Sequence, residues 1–285
     1  MQIKPFNRKE LFVGGCNKMD GKKMKAGWIG FLREEPDIWK SVEKLSALGY
    51  RGLEGGDFLL VGDVDENRKR LADLNLQVLT TSAGMEEIRE GRYADAIRTA
   101  HQLGTSRVTV WSCAVNNSFA GKETSYDEVM RDFAALEKAA VAMEHEGLTL
   151  CYHNHYQDFV LNFHETPCFD LMMANTEKLH IELDIGWVTN GLRDPVEVMR
   201  QIAPRLAAIH VKDYLKGEWR EKEAGWAPIF TSVGNGELKL APALQAASEL
   251  GVEWAVVEQD QMHNLSAMES LTAAYLNMKE TGYVL

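Results

Sequence analysis

The sequence predicts a closed eight-stranded α/β barrel, a (β/α)8 TIM barrel built as a single domain over residues 1–285. Three observations carry that expectation. Short apolar runs alternate with helix-like stretches along the whole chain, the pattern of a parallel sheet covered by helices. Five of the runs end in residues that bind metal ions or move protons: Glu54, His153 with His155, Asp184, His210 and Glu258. No glycine fingerprint of the dinucleotide-binding open sheet follows the first run. A closed parallel barrel carries all its C-terminal strand ends to one rim, where such residues can converge.

The elements follow in order. Residues 11–16 read as the first strand and 36–48 as the first helix, with Pro36 near its start and Gly49 beyond its end. Residues 51–54 form a second strand, followed by a helix over about 64–74. A third strand at 76–81 leads into helix over 85–103, stopped by Gly104. A fourth strand covers 107–111. From about 126 to 146 the residues Val129, Phe133, Leu136, Ala140 and Met143 recur at helical spacing and make one apolar face. Residues 149–153, 180–184 and 207–211 are strands, separated by helices at 169–174 and 195–202; Asp194 is placed to cap the latter. A long polar stretch from 213 to 236 reads as a loop able to cover a site or to pack on another subunit. Within it, Gly234-Asn235-Gly236 reads as a turn. A helix at 241–250, a strand at 254–258 and a helix at 266–279 close the chain.

Composition narrows the function. Formal net charge is −11, from 31 basic against 42 acidic residues, and that balance disfavours nucleic acid, which needs clustered Lys and Arg. The basic groups at 22–25 and 68–70 read as solvated faces. No run approaches the ~18 apolar residues of a membrane span. The first ten residues lack the apolar segment of a signal peptide, so a cytoplasmic location is expected. Cys16, Cys113, Cys151 and Cys168 have no CxxC spacing and read as reduced structural residues.

Asp184, His210 and Glu258 end three successive strands. Carboxylates mixed with imidazole suit Mn²⁺, Co²⁺, Zn²⁺ or Mg²⁺. A fourth ligand would come from the preceding strand, which offers His153 and His155; their i, i+2 spacing puts both on one side. Either can ligate, leaving the other as acid/base or as a group that orients a ligand. Among Trp28, Trp111, Trp187 and Trp226, candidates to stack on a sugar, Trp187 lies nearest the rim.

The stretches Tyr152-His153-Asn154-His155, Leu183-Asp184-Ile185-Gly186-Trp187, Ile209-His210-Val211-Lys212-Asp213, Ser232-Val233-Gly234-Asn235-Gly236 and Val257-Glu258-Gln259-Asp260 resemble the sugar phosphate isomerase/epimerase family, with its xylose isomerase-like TIM barrel. The resemblance covers nearly the whole chain. It implies that Asp184, His210 and Glu258 bind a divalent metal and that Glu54 faces the substrate pocket. Sugar epimerases of the family carry a glutamate where this chain has His153. That departure weighs against a symmetric two-glutamate epimerisation, and the histidine-rich stretch is similar to that of inosose dehydratases.

The expected function is therefore a metal-dependent isomerase or epimerase acting through an enediolate on a sugar or keto-sugar. His153, Asp184, His210 and Glu258 would hold the metal, Mn²⁺ before Co²⁺, Zn²⁺ or Mg²⁺. His155, Glu258, Glu54 and Lys212 are the candidates for catalysis; Trp187, Trp111 and Glu54 are those for substrate contact. The alternatives are a lyase or dehydratase acting by β-elimination on a keto-sugar, keto-glycoside or keto-cyclitol, and a non-catalytic barrel subunit. The expected partner is a small carbohydrate, with neither nucleic acid nor membrane, and the resemblance suggests a homodimer or homotetramer.

Overall fold

Residues 22–30, 37–220 and 227–285 are described in the computed structural model. The barrel strands are β1 (Lys25–Trp28), β2 (Gly52–Glu54), β3 (Gln77–Ser82), β4 (Arg107–Val110), β5 (Thr149–His153), β6 (His180–Asp184), β7 (Leu206–Val211) and β8 (Trp254–Val257). Each pairs in parallel with its neighbours in chain order, and β8 returns to pair with β1, which closes the ring. From β2 onward every strand lies within one residue of its expected place.

The first strand is the exception. β1 is Lys25–Trp28, whereas the expected strand at 11–16 lies outside the described residues. Gly27 explains why β1 hid. A Cβ there would come within 2.8 Å of Leu79 Cδ1, so the position must be bare to admit a side chain from β3. That demand arises from packing across the barrel and leaves no apolar run in the sequence.

Alternation along each strand sorts the core into two parts. Outward residues such as Val108, Ile181, Leu183, Ile209, Val211, Ala255 and Val257 join the large cluster between sheet and helices. Leu79, Ala208, Trp254 and Val256 form a separate buried cluster, an apolar floor within the barrel. Further along β6 and β7 the same inward rows continue as Glu182, Asp184 and His210, all buried. The polar site is thus stacked on the floor, toward the C-terminal rim.

Helix ends follow their local chemistry. Asp37 accepts from Lys40 N, Asp63 from Glu66 N and Asp194 from Val196 N, satisfying first-turn donors. Ser125 and Ser266 form reciprocal caps with Glu128 and Glu269. The helix expected over 85–103 is instead two, Met85–Glu90 and Ala94–Leu103, with Gly91 capping the first. No helix among the described residues is long and apolar enough to cross a membrane. Cys113, Cys151 and Cys168 are free and buried; Cys16 lies outside the described residues.

The expected loop at 213–236 also differs. Asp213–Arg220 and Ala227–Thr231 pair as an antiparallel ribbon. Tyr214 and Phe230 are cross-strand partners and pack against Trp187, so tertiary burial orders a segment whose composition reads as polar loop. The Gly234-Asn235-Gly236 turn is built around Asp213. Its buried carboxylate accepts from the backbone N–H of Tyr214, Gly234, Gly236 and Leu238.

Candidate metal centre and active site

Strands β5 to β8 bring four side chains together at the rim. One ligand atom from each of His153, Asp184, His210 and Glu258 lies within 4.8 Å of the other three. His210 Nδ1 is 2.8 Å from Glu258 Oε2. His153 Nε2 is 3.7 Å from that same oxygen and 4.0 Å from Asp184 Oδ2.

Each ligand candidate is held by its strand end. Asp184 uses Oδ1 to cap the helix Ile185–Asn190, accepting from Trp187 N at 2.8 Å. That leaves Oδ2 turned to the cluster. Asn154 ties β5 to β6 by accepting from Asp184 N and donating to Asp184 O. The chain turns directly after His153. Asp158, fully buried, accepts from His155 N at 2.8 Å and from the Tyr152 hydroxyl at 3.0 Å. The two histidines therefore separate: His153 joins the cluster, while His155 packs beside it against Phe119 and Trp187.

The donor set passes a direct test of fit for a divalent ion. Asp184 Oδ2 and both ring nitrogens of His153 are buried without a hydrogen-bond partner. Such atoms are costly unless something satisfies them. Two imidazoles and two carboxylates suit Mn²⁺, Co²⁺ or Zn²⁺.

Lys212 is the counter-charge. Its ammonium is buried 3.2 Å from Asp184 Oδ2, 3.3 Å from Glu258 Oε1 and 3.0 Å from Asp260 Oδ2. It also lies 4.8 Å from the centre of the Trp187 ring. Burial works against the ammonium, but these carboxylates outweigh it and raise its pKa. Burial likewise opposes charge on Glu258, yet Lys212, His153 and His210 hold its carboxyl well below the usual range. Asp184 goes the other way, pushed by burial to about 7 against the pull of Lys212.

The three imidazoles differ. Burial holds His153 neutral, the form that ligates metal. Burial and the nearby Lys212 depress His155 to about 3. For His210, burial is outweighed by Glu54, Glu182 and Glu258, which raise it well above the ordinary value.

Glu54 points inward, its Oε2 2.8 Å from His210 Nε2. It therefore meets the ring on the edge opposite Glu258. Trp111 lies just past β4, its ring centre 5.1 Å from that of His153 and 5.8 Å from that of His210, so it roofs the cluster. Trp187 packs edge-on to Phe230 and leaves Nε1 buried without a partner. Trp28 belongs to the core, against Tyr50, and Trp226 lies outside the described residues.

Residues that the strand-end reading passed over are Glu182, Asn154, Asp158 and Asp260. Alternation from Asp184 was the available signal for Glu182: two residues earlier on the same strand points the same way. A groove on the outer helices, lined by Lys44, Leu48, Met268, Thr272 and Leu276, shares no residue with this cluster.

Gly186 sets how closely β6 and β7 approach. A Cβ there would lie 2.3 Å from Lys212 O and 2.9 Å from Lys212 Cβ. Backbone cannot yield as a flexible side chain can, so Gly186→Ala is expected to cost about 3 kcal/mol and to displace Lys212. Thermal melts of the variant check this; an unchanged Tm would show that the two strand ends can part freely.

These features define a parallel α/β barrel with a candidate metal centre at its C-terminal mouth. The chain belongs to the xylose isomerase-like TIM barrel family, whose model matches residues 42–275. It is 24% identical over 290 residues to an inosose dehydratase of Clostridium botulinum (strain Alaska E43 / Type E3), covering 90% of this chain and 92% of that one. Among solved structures it resembles a sugar phosphate isomerase/epimerase from Parabacteroides distasonis ATCC 8503, with TM-score 0.71, 20% identity, and coverage of 95% of this chain and 98% of that one. It also resembles the probable 3-DHS dehydratase of Bacillus anthracis, with TM-score 0.72, 14% identity, and coverage of 90% and 99%. At such identities the structural likenesses establish the shared fold. The family includes isomerases, epimerases and dehydratases.

Proposed function

We propose that this chain is a divalent-metal-dependent lyase that removes water from a keto-cyclitol or keto-sugar by β-elimination. The observation that carries the reading is an asymmetry at the rim. His153 and His210 lie within 4.0 Å of carboxylates, while His155 stands beside them among aromatic rings as a neutral imidazole. The site thus offers one base and one fixed ammonium rather than two equivalent carboxylates. The relatives named inosose dehydratase support the same class.

His153, Asp184, His210 and Glu258 would hold the ion, Mn²⁺ first, with Co²⁺, Zn²⁺ or Mg²⁺ as alternatives. When bound, it supplies Lewis-acid polarisation of the substrate carbonyl. His155 takes the proton from the carbon next to that carbonyl, and the C–H electron pair becomes the new C=C of an enediolate or enolate. Lys212 donates a hydrogen bond to the oxygen that gains charge. The electrons then return, the bond to the β-hydroxyl breaks, and the leaving oxygen takes the proton from His155 to depart as water. Trp111 and Trp187 would flank the ring and keep bulk water away from the carbanion.

A second reading, isomerase or epimerase on a sugar through the same first step, is favoured by Glu258, whose side chain is 14% exposed and so the most open of the four ligand candidates. Incubation of Mn²⁺-loaded protein with keto-cyclitols and keto-sugars in D₂O separates the readings. An ultraviolet-absorbing enone with loss of water supports elimination. Deuterium incorporation or a moved carbonyl without water loss supports the second, and no reaction with either class supports a non-catalytic barrel. His155→Ala is expected to keep its metal and to lose turnover by about 10²–10⁴-fold. Loss of metal in that variant would place His155 among the ligands and end its role as base.

A further inference from the structure

Beneath the metal-ligand cluster lies a second polar group inside the barrel. Glu54, Glu182 and His210 bring ligand-type atoms within 4.8 Å of one another, and all three are buried. Glu54 Oε2 is 2.8 Å and Glu182 Oε2 3.6 Å from His210 Nε2. The other nitrogen of the same ring, Nδ1, faces Glu258. The imidazole therefore has a carboxylate pair on one edge and the candidate metal ligands on the other.

The two carboxylates come from β2 and β6, which stand opposite each other in the ring of eight strands. Glu182 is not free to swing, because Thr109 Oγ1 donates to its Oε2 at 2.9 Å. Its Oε1 has no partner, nor has either oxygen of Glu54. An inward carboxylate just above an apolar floor is costly, and packing alone would be served better by a leucine.

We propose that Glu182, acting with Glu54, is a positioning residue for His210: the two carboxylates grip the Nε2 edge of the ring from opposite walls, so that Nδ1 is turned toward the metal. The proposal rests on the metal reading given above. A ligating imidazole generally gives its second N–H to a carboxylate, which fixes ring orientation and strengthens the donor. Here that task is shared. Glu54 is the nearer carboxylate, 2.8 Å from Nε2, and Glu182 stands on the opposite wall at 3.6 Å.

The test is Zn²⁺ and Mn²⁺ titration of metal-free protein by calorimetry, comparing wild type with Glu182→Gln, Glu54→Gln and Glu182→Asp. Glu182→Gln keeps the shape and the contact with Thr109 but exchanges one carboxyl oxygen for an amide NH₂. It is expected to bind about tenfold more weakly at one ion per chain, with the metal-free Tm unchanged or raised. Glu182→Asp should recover part of the affinity. In the Zn²⁺-loaded protein the His210 Nε2–H proton resonance should move upfield in both glutamine variants, a signature that a merely structural role would not give. Unchanged affinity and resonance in Glu182→Gln would overturn the proposal while leaving the metal reading intact. Two ions per chain in wild type and one in Glu182→Gln would overturn it differently, by making Glu182 a ligand of a second ion. If wild type binds neither ion, the metal reading falls, and this proposal with it.

Discussion

Asp184→Asn is expected to lose divalent-metal affinity by at least ~100-fold while remaining folded. The substitution separates two tasks of one side chain. Oδ1 caps the helix Ile185–Asn190 through Trp187 N, and an asparagine carbonyl can take over that bond. Oδ2 faces the cluster without a hydrogen-bond partner, and an amide NH₂ in its place cannot ligate a cation. Alanine would blur the result, because loss of a cap costs ~1 kcal/mol by itself. Elemental analysis of purified variant and wild type decides the matter. Equal metal content in both would remove Asp184 from the ligand set, and the enolising mechanism with it.

Lys212→Met should show the next largest effect, and a revealing dependence on metal. Without the ammonium, Asp184, Glu258 and Asp260 face one another unneutralised in a buried site. Removing one member of a buried charge set costs about 3–5 kcal/mol. A dication offsets the same carboxylates, so the rise in Tm on adding Mn²⁺ should be larger in the variant than in wild type. The metal-free deficit should also shrink as pH falls, since carboxylates without Lys212 take up protons more readily in the folded state. Melting curves with and without Mn²⁺ at two pH values test both statements. A deficit indifferent to metal would mean that Lys212 and the ion site do not share charge.

Much of this molecule can be read from residue order because its chemistry sits at strand ends. Glu54, His153, Asp184, His210 and Glu258 each close an apolar run, and those runs are β2, β5, β6, β7 and β8. What stays hidden depends on contacts between distant segments. Lys25–Trp28 hardly looks like a strand, because Gly27 yields its space to Leu79. The ribbon from Asp213 is polar in composition and is ordered by Tyr214 and Phe230 meeting Trp187. That His153 and not His155 lies in the cluster depends on Asp158, whose hold on the His155 backbone bends the chain away after His153. Glu182 is a different case. Its inward direction follows from simple alternation, but a search confined to terminal positions looks past it.

The floor made by Leu79, Ala208, Trp254 and Val256 has a kinetic corollary. With the lower end plugged, traffic through the barrel is one-way-in, same-way-out: whatever is made must back out through the doorway its precursor used. Leftover product then blocks the incoming molecule directly, and inhibition by product should be competitive in form.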